Sequence, residues 1–363
     1  ELNDTMLSSD YDQWRNTNQN SFSFTNNDRI YWAQVSPYIL GNINFYVGVV
    51  APEDEIIGSI IKTKKILLLG ILLISIVSVY IGYAYRQKIK TNKQLNEKNN
   101  IIENQKKEVD EKNREIIDSI NYAKRIQNAL LPSISNFDKN FNEYFVLYMP
   151  KDIVAGDFYW FQEHDRKVYL AVADCTGHGV PGAMVSVICI NALNRVLKEF
   201  EITETGKLLD KTKELIIHEF EKSDSTVQDG MDIALVSIDF AKNEIQYSGA
   251  NNSLWLIKSG EDRITEIKAD KQPIGKYISE TSFGTKKITM NKGDVYYLFS
   301  DGYADQFGGP KGKKFKYKQL NELLVKLSTK RMDKQQHELK QAFDFWRGAL
   351  EQVDDVTLIG IRI

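Results

Sequence analysis

Cysteine is scarce in this sequence, and so are the residues that would mark a soft-metal site. The 363 residues include only 2 cysteines and 4 histidines. Cys175 and Cys189 cannot by themselves form a disulfide framework or a four-ligand zinc site, and their place in the C-terminal half suits a reducing compartment. Lysine plus arginine (47) nearly balances aspartate plus glutamate (49), so the net charge of −2 favours no nucleic-acid partner.

Lysine is absent from residues 1–61, and charge of either sign is absent from residues 66–85. The second stretch reads ILLLGILLISIVSVYIGYAY, which at about 1.5 Å per residue can cross a hydrocarbon core of about 30 Å. We therefore predict a transmembrane helix over residues 62–87, with a buried core helix as the alternative. The acidic, lysine-free side indicates that the N-terminus lies outside. The chain would then be a single-pass protein of the cell inner (cytoplasmic) membrane, with residues 88–363 in the cytoplasm.

Residues 1–61 are shorter than a typical sensor domain, and we interpret them as the C-terminal remnant of an extracytoplasmic one. Their alternating stretch INFYVGVVAP, residues 43–52, predicts a strand that ends at Pro52. This stretch resembles the last strand of Cache-type sensor domains, which implies a sensing role for this part of the chain.

Apolar residues recur every seven positions in residues 88–132, which predicts a coiled-coil signalling linker. Its companion seam positions are mostly polar, so we expect a marginal coil that pairs two chains as a parallel homodimer. An exposed polar helix that only spaces two domains is the alternative. Residues 115–132 are more apolar and are expected to pack on the catalytic domain before Pro132 ends the helix. The seam consists of Leu95, Ile102, Val109, Ile116, Ala123 and Leu130.

Residues 133–363 alternate between strand-like and helical patterns, and four aspartates stand where predicted strands begin or end. An alternating strand, residues 168–173, leads to Asp174 and a glycine-rich turn, after which a helix is expected to begin near Pro181. A strongly apolar strand precedes Asp301, and a glycine follows it. The other two are Asp157, which follows a glycine, and Asp354, which opens the terminal strand.

Carboxylates gathered at one edge of a fold repel one another, and only a cation or protonation relieves that repulsion. All-oxygen ligands select hard divalent ions, Mg²⁺ or Mn²⁺, over zinc or copper. Two such ions about 3.5 to 4 Å apart can activate a water and neutralise a phosphoryl group. An aspartate at a strand end can also serve only a turn or a helix cap, and spacing in the sequence leaves this alternative open.

Four sequence blocks together resemble one known family. VAGDFYW, ADCTGHGVPGA, FSDGYADQFGG and QVDDVTLIGIRI are similar, in that order, to the metal-site motifs of PPM-type serine/threonine phosphatases, in the branch of stage II sporulation protein E. The resemblance implies an α+β fold for residues 133–363, an αββα sandwich of two antiparallel sheets, preceded here by the transmembrane helix and the coiled-coil helix. It also implies two Mn²⁺ or Mg²⁺ ions at one edge of the sandwich and the hydrolysis of phosphoserine or phosphothreonine.

The metal-site residues of the family can be carried over to this sequence by position. Asp174 would bridge the two metals, and the backbone carbonyl of Cys175 would complete the second. Asp301 and Asp354 would hold the first metal, and Asp157 would act at the second. The resemblance thus implies that Asp174 and Asp157 are catalytic through the ions they hold.

Other positions depart from the family pattern. His178 is a candidate general acid, although it comes two residues later than in eukaryotic relatives, and a turn-stabilising imidazole is the alternative. Lys151 is a candidate for phosphate binding in place of the family's arginine, with a solvated surface lysine as the alternative. Asp305 matches one ligand of a third metal in some relatives, whereas Asn251 stands where the second ligand would be. Asp232 is expected to be structural.

The sequence therefore predicts a membrane-anchored, signal-responsive protein phosphatase. Its expected substrate is a phosphorylated regulatory protein such as an anti-sigma-factor antagonist. A signal outside the membrane would shift the coiled coil and the helix of residues 116–130, and thereby the metal site. Two alternatives remain: a catalytically silent dimeric scaffold that binds a phosphoprotein partner, and another two-metal hydrolase such as a nuclease. The intact aspartates argue against the first, and the balanced charge argues against the second.

Overall fold

The computed structural model describes residues 14–16, 19–221, 229–277 and 281–363. The chain divides into two compact units, Glu1–Glu108 and Val109–Ile363. The first unit carries an N-terminal sheet, and the second carries all of the predicted metal-site residues.

The first unit contains a three-stranded antiparallel sheet in the order β1, β2, β3. The predicted strand over residues 43–52 is confirmed, and it ends at Pro52 as predicted. The strands are β1 (Ser21–Asn26), β2 (Arg29–Leu40) and β3 (Ile43–Pro52), and the small core between them consists of Phe22, Phe24 and Ala33.

One helix, α1 (Glu53–Leu130, 78 residues), follows directly on β3 and contains both the predicted membrane segment and the predicted linker. It begins before the predicted boundary at Lys62, because three acidic residues occupy its first turn and favour a helix N-terminus there. It ends just before Pro132, as predicted. Four seam residues are each more than half exposed along it: Leu95, Ile102, Val109 and Ile116.

The second unit is built on two five-stranded antiparallel sheets, in the orders β10-β9-β12-β15-β4 and β11-β8-β7-β6-β5. The strands are β4 (Glu143–Met149), β5 (Phe158–His164), β6 (Lys167–Cys175), β7 (Met231–Asp239), β8 (Glu244–Ala250), β9 (Leu254–Ile257), β10 (Thr265–Ile267), β11 (Lys286–Thr289), β12 (Val295–Phe299) and β15 (Val356–Arg362). Two short strands, β13 (Phe307–Gly308) and β14 (Lys313–Lys314), form a separate ribbon. The helices are α2 (Ile134–Asn140), α3 (Gly179–Lys198), α4 (Thr205–Glu221), α5 (Gly302–Asp305), α6 (Lys316–Leu327) and α7 (Met332–Arg347).

The two sheets face each other across an apolar core, and a helix layer covers the outer face of each. In β6, Val168, Leu170 and Val172 join the core between the sheets, while the alternate residues join the cluster shared with α3 and α4. On the other side, α6 and α7 pack on the sheet that contains β12 and β15. This is a mixed α+β fold with the predicted order of layers.

Two helices in the described part of the chain are long and apolar enough to cross a membrane, α1 and α3. None of the apolar window of α1 is buried, whereas 56% of the α3 window is buried in protein. The apolar face of α3 contributes to the core of the second unit, so its composition has a structural reason. The same test leaves α1 a candidate span by length and composition.

Candidate metal centre

The predicted metal-site aspartates lie at strand ends that the fold brings to one edge of the sandwich. Asp301 follows β12 and Asp354 precedes β15, and because these strands pair antiparallel, both aspartates lie at the same end. In the other sheet Asp174 stands near the end of β6, directly opposite Asp232 on β7. Asp157 immediately precedes β5, the neighbour of β6. Both sheets therefore supply carboxylates to the same edge.

Asp157 is the most deeply buried of the four, with 1% of its surface exposed. Its Oδ2 accepts hydrogen bonds from Ser300 Oγ (2.6 Å) and Thr357 Oγ1 (2.8 Å). Burial raises the pKa of Asp157 well above its usual range, the two hydroxyls lower it, and the charges of Asp355 and Asp354 raise it again. The hydroxyls belong to the β12 and β15 side, so they tie the loop before β5 to the opposite sheet.

The carboxyl groups of Asp174 and Asp301 influence each other's pKa. Burial, and then the charges of Asp157 and Asp301, raise the pKa of Asp174 to about 10. Burial, and then the charges of Asp305 and Asp354, raise the pKa of Asp301 to about 6, while the hydrogen bond from Asp174 opposes this rise. Because the pKa of Asp174 is raised to about 10, its carboxyl group holds a proton at neutral pH in the absence of a cation.

Asp355, next to Asp354, fixes the backbone of the loop in front of β5. Its Oδ1 accepts a hydrogen bond from the Lys151 backbone N–H (2.7 Å), and its Oδ2 accepts one from the Gly156 N–H (2.6 Å). Burial raises the pKa of Asp355, and the two backbone donors lower it. Two adjacent carboxylates thus face different surroundings: Asp355 is occupied by backbone donors, whereas Asp354 lines a cleft.

The donor set fits a hard divalent cation in its chemistry. Among the described residues, no three aspartate, glutamate, histidine or cysteine side chains are gathered closely enough to hold a metal ion as they stand. Yet the neighbouring charges that raise the pKa of Asp174 and of Asp301 belong to carboxylates, among them Asp157, Asp305 and Asp354. A cation would replace the proton held on Asp174, because a cation and a proton compete for the same carboxylate oxygens.

Glycines let two loops of the site pack backbone against backbone. A Cβ on Gly182 would collide with the carbonyl oxygen of Gly177 and lie 3.0 Å from Gly156 Cα. A Cβ on Gly156 would collide with the same carbonyl and lie 3.3 Å from the carbonyl oxygen of Cys175. Because of this approach, the Cys175 carbonyl, a predicted ligand, lies beside the loop that carries Asp157.

Three polar side chains are in contact with one another in succession at the N-terminal end of α3, which His178 directly precedes. His178 Nδ1 is 2.9 Å from Asp152 Oδ2, and its Nε2 is 3.1 Å from Lys151 Nζ. If Nδ1–H donates to the carboxylate, Nε2 carries a lone pair that accepts from the ammonium group. In this arrangement the imidazole orients Lys151, and the role of His178 as a general acid stays a prediction.

The two positions considered for a third metal are engaged with neighbours. Asp305 Oδ2 accepts a hydrogen bond from Lys314 Nζ at 2.7 Å. Asn251 Nδ2 donates to Asp232 Oδ1 at 2.8 Å, from a backbone with φ of 57°. Burial raises the pKa of Asp232, and the hydrogen bond from Asn251 lowers it. Asp232, expected to be structural, also faces Asp174 across the strand pair, so it belongs to the site.

A cleft of about 290 Å³ opens beside these carboxylates. The ends of β6 and β7 form one wall of the cleft. Asp354, just before β15, and the loop that contains Pro273 and Gly275 also line it. The residues that line it include Asp174, Asp232, Asp354, His178, Pro273 and Gly275.

The C-terminal end of α1 is hydrogen-bonded to the loops of this site through Gln127, which is 3% exposed. Its Nε2 donates to the Ala155 carbonyl oxygen (2.6 Å) and to Ser186 Oγ (3.0 Å), and its Oε1 accepts from the Ala155 N–H (3.2 Å). Ala155 lies two residues before Asp157, and Ser186 lies in α3. One side chain of α1 therefore contacts both the loop that carries Asp157 and helix α3, which follows the glycine-rich turn after Asp174.

Several residues that shape this site were not predicted from the sequence. The serine before Asp301 and the threonine in the terminal strand stand inside the quoted motifs, where their hydroxyls could have been noted. Gln127 is a polar residue in the more apolar end of a helix, a weak signal of a buried hydrogen bond. The residues missed in this way are Asp152, Ser300, Thr357, Asp355 and Gln127.

Comparisons with known proteins indicate the same family as the sequence motifs. The family model of Stage II sporulation protein E (SpoIIE) matches residues 164–363. The structure is similar to the SiaA-PP2C domain of Pseudomonas aeruginosa, at 27% identity and a TM-score of 0.62, over 69% of this chain and 98% of that one. It is also similar to the PP2C phosphatase domain and regulatory fragment of SpoIIE from Bacillus subtilis, at 21% identity and a TM-score of 0.50, over 61% of each chain. The second likeness concerns the fold alone. No curated protein sequence matches the chain.

Proposed function

We propose that this chain, which belongs to the stage II sporulation protein E (SpoIIE) family, hydrolyses phosphoserine or phosphothreonine on a regulatory protein at the edge of the sandwich. Membership follows from the match over residues 164–363, more than half of the chain. It confirms the predicted enzyme class, a serine/threonine phosphatase. That the phosphoprotein is an anti-sigma-factor antagonist stays a prediction from the sequence.

One observation supports the assignment of the site: four aspartates that are distant in sequence, Asp157, Asp174, Asp301 and Asp354, stand at strand ends that meet at one edge of the two sheets. The pKa of Asp174 is raised by carboxylates of both sheets, Asp157 on one side and Asp301 on the other. A residue in that position can reach both ions of a pair, which supports Asp174 as the bridging ligand. Two Mn²⁺ or Mg²⁺ ions, when bound, would supply charge neutralisation and the activation of water.

The other proposed ligands follow from their places around Asp174. Asp301 and Asp354 stand at paired strand ends and would hold one ion. Asp157 and the carbonyl of Cys175 lie on the two loops that pack through glycine, and they would hold the other. The hydroxyls bonded to Asp157 would keep its carboxylate in one orientation while the ion binds.

Phosphate binding is assigned to Lys151. Its backbone N–H is fixed by Asp355, and its ammonium lies 3.1 Å from His178 Nε2, in line with Asp152. An oriented ammonium beside the cleft can donate to the phosphoryl oxygens and offset the charge that develops during transfer. Substitution of Lys151 by methionine should raise KM for small phosphate esters more than it lowers kcat.

The proposed phosphatase activity is tested by measuring phosphate release from a phosphoserine peptide in the presence of Mn²⁺, with the full chain in a neutral detergent. We expect release by the wild type, a loss of about a hundredfold or more in the Asp174→Ala variant, and suppression by a chelator. The matched control is Asp165→Ala, a substitution in the exposed turn between β5 and β6. An Asp174→Ala variant as active as the wild type would exclude the proposed bridging role.

Membrane anchoring through residues 62–87, the sensor remnant before them, the linker and the cytoplasmic catalytic domain remain parts of the proposal. The apolar stretch of α1 is unburied over its whole length, which supports a span. Seam residues such as Leu95, Ile102 and Val109 are each more than half exposed, which supports a second copy of the chain as their partner. Crosslinking of the full chain through a cysteine placed at position 102 tests this homodimer.

Regulation is proposed to pass through the end of α1. The hydrogen bonds of Gln127 to Ala155 and Ser186 give the linker helix a direct hold on the loop that carries Asp157. A shift of the helix would break or restore these bonds and thereby change ligand placement. The test is to make Leu95, Ile102 and Val109 polar together in the intact protein and to measure its phosphatase activity. Unchanged activity would show that the coil does not transmit the signal.

A further inference from the structure

Five lysines within eight residues follow the metal-site motif that contains Asp301. The segment reads PKGKKFKYK, residues 310–318, and no acidic residue occurs between Asp305 and Glu322. The near-zero net charge of the chain conceals this local excess. The lysines are Lys311, Lys313, Lys314, Lys316 and Lys318, and all are exposed.

The segment is held in a fixed conformation, so its lysines are displayed in a defined place. β13 and β14 pair as a short ribbon, and the Phe315 N–H donates to the Gln306 carbonyl oxygen at 2.9 Å. Phe315 itself is buried and packs edge-on against Tyr303 and Trp346, with ring centroids 5.2 and 5.3 Å apart. We call residues 311–318 the lysine strap.

The lysine strap lies next to the candidate metal centre. Lys314 Nζ is 2.7 Å from Asp305 Oδ2, at the end of the short helix that begins after Asp301. The ring of Tyr317 lies 6.1 Å from that of Phe299, two residues before Asp301. Partial burial raises the pKa of Tyr317, and the charges of Asp301 and Asp305 raise it further, which places the tyrosine within electrostatic reach of the site.

One lysine of the strap is paired, and the other four have no carboxylate partner among the described ion pairs of the chain. Four exposed cations beside an acidic cleft create a positive border next to a negative centre. A small phosphate ester fills only the centre. A phosphoprotein also presents the residues that flank its phosphorylated side chain, and acidic flanks would complement this border.

We propose that the lysine strap docks an acidic segment that flanks the phosphorylated residue of the protein substrate. The inference rests on the proposed phosphatase function and specifies the chemical class of its substrate. The strap selects the substrate by charge, outside the reacting centre, and its lysines act on KM and on the rate of association.

The test uses two phosphoserine peptides of equal length, one flanked on both sides by glutamates and one by glutamines. The full chain in neutral detergent should prefer the acidic peptide by about fivefold to tenfold in kcat/KM at low salt, through KM. High salt should remove the preference because it screens exposed charges. In the variant with Lys311, Lys313, Lys316 and Lys318 changed to glutamine, the ratio of the two peptides should fall to about one.

The matched control changes four other exposed lysines to glutamine, Lys139, Lys198, Lys258 and Lys292, none of which lines the cleft. It removes the same net charge, so it should keep the preference if position matters. Because each ratio compares two peptides in one protein, a partial loss of folded enzyme cancels. Equal cleavage of the two peptides by the wild type overturns the proposal, and so does an unchanged ratio in the strap variant.

Fluorescence anisotropy with the unphosphorylated acidic peptide separates docking from turnover. Tighter binding than that of the glutamine peptide, lost in the strap variant, supports the docking surface. Equal binding of both peptides overturns it, even if the chain is an active phosphatase. If vesicles of anionic phosphatidylglycerol bind through the strap lysines in that case, a lipid surface takes the place of the acidic segment. Preferential acidic-peptide binding without phosphate release from any ester would contradict the proposed phosphatase function instead.

Discussion

Replacement of Gln127 by leucine should loosen the candidate metal centre from a position outside it. Leucine keeps the volume and the helix propensity of glutamine but removes all three hydrogen bonds. The Ala155 carbonyl and N–H would each lose their partner on Gln127. The contact is buried, since Gln127 is only 3% exposed. The change therefore tests whether the end of α1 and the loop before β5 are coupled.

The size of the expected effect follows from the two backbone groups of Ala155 that lose their hydrogen-bond partner. A buried donor or acceptor without a partner costs about 1 to 3 kcal/mol, so the contact should weaken by about 2 to 4 kcal/mol after some relaxation. Ala155 is two residues from Asp157, and loss of an outer-shell contact typically costs about tenfold to a hundredfold in metal affinity. We expect the Mn²⁺ concentration for half-maximal activity to rise by that factor.

The assay is a Mn²⁺ titration of p-nitrophenyl phosphate hydrolysis by the full chain in detergent, with thermal unfolding recorded alongside. Asn128→Leu is the matched control, because Asn128 is the exposed neighbour on the same helix. A Gln127→Leu protein that unfolds at a lower temperature yet keeps the wild-type Mn²⁺ dependence would refute the coupling. It would show that Gln127 stabilises the packing of the helix and does not position the ligands.

Three further outcomes follow from the site. Asp174→Asn should lower kcat/KM by about a hundredfold to a thousandfold and remove the rise in unfolding temperature caused by Mn²⁺, as seen by differential scanning fluorimetry. Because the raised pKa of Asp174, about 10, makes the cation-free protein lose stability as pH rises from the ordinary aspartate range, stabilisation by Mn²⁺ should be larger at pH 8.5 than at pH 6. A stabilisation that falls with pH in the wild type would contradict this. Thr357→Val removes one of two hydroxyl bonds to Asp157 and should raise the half-saturating Mn²⁺ concentration by up to about tenfold, whereas an unchanged titration would show that the Ser300 bond suffices.

The parts of the site that could be predicted from the sequence are those that depend on local patterns of neighbouring residues. Alternation in β6 and the apolar run of β12 placed Asp174 and Asp301 at strand ends, and the glycine after each marked a turn. The resemblance then supplied chemistry for them. Local pattern could also predict where α1 ends, because proline stops a helix wherever the rest of the chain lies.

The parts that escaped prediction depend on partners far away in the sequence. Asp354 and Asp355 are adjacent and chemically alike, and only the folded loop decides that Asp355 accepts the Lys151 and Gly156 N–H groups. The partner of Gln127 lies 28 residues further on. The lysine strap was hidden for a different reason, since a net charge of −2 averages over the whole chain.

The packing of Gly156 and Gly182 around the Gly177 carbonyl has a consequence for mutational scans of this enzyme. A methyl group at either glycine has no room, so it would push apart the loops that carry Asp157 and the Cys175 carbonyl. Catalytic geometry tolerates only about 0.5 Å of such displacement. An alanine scan would therefore report losses of activity at positions that hold no functional group, as severe as those at the ligands. In this centre, the geometry of the ligands depends in part on two positions, Gly156 and Gly182, that have no side chain.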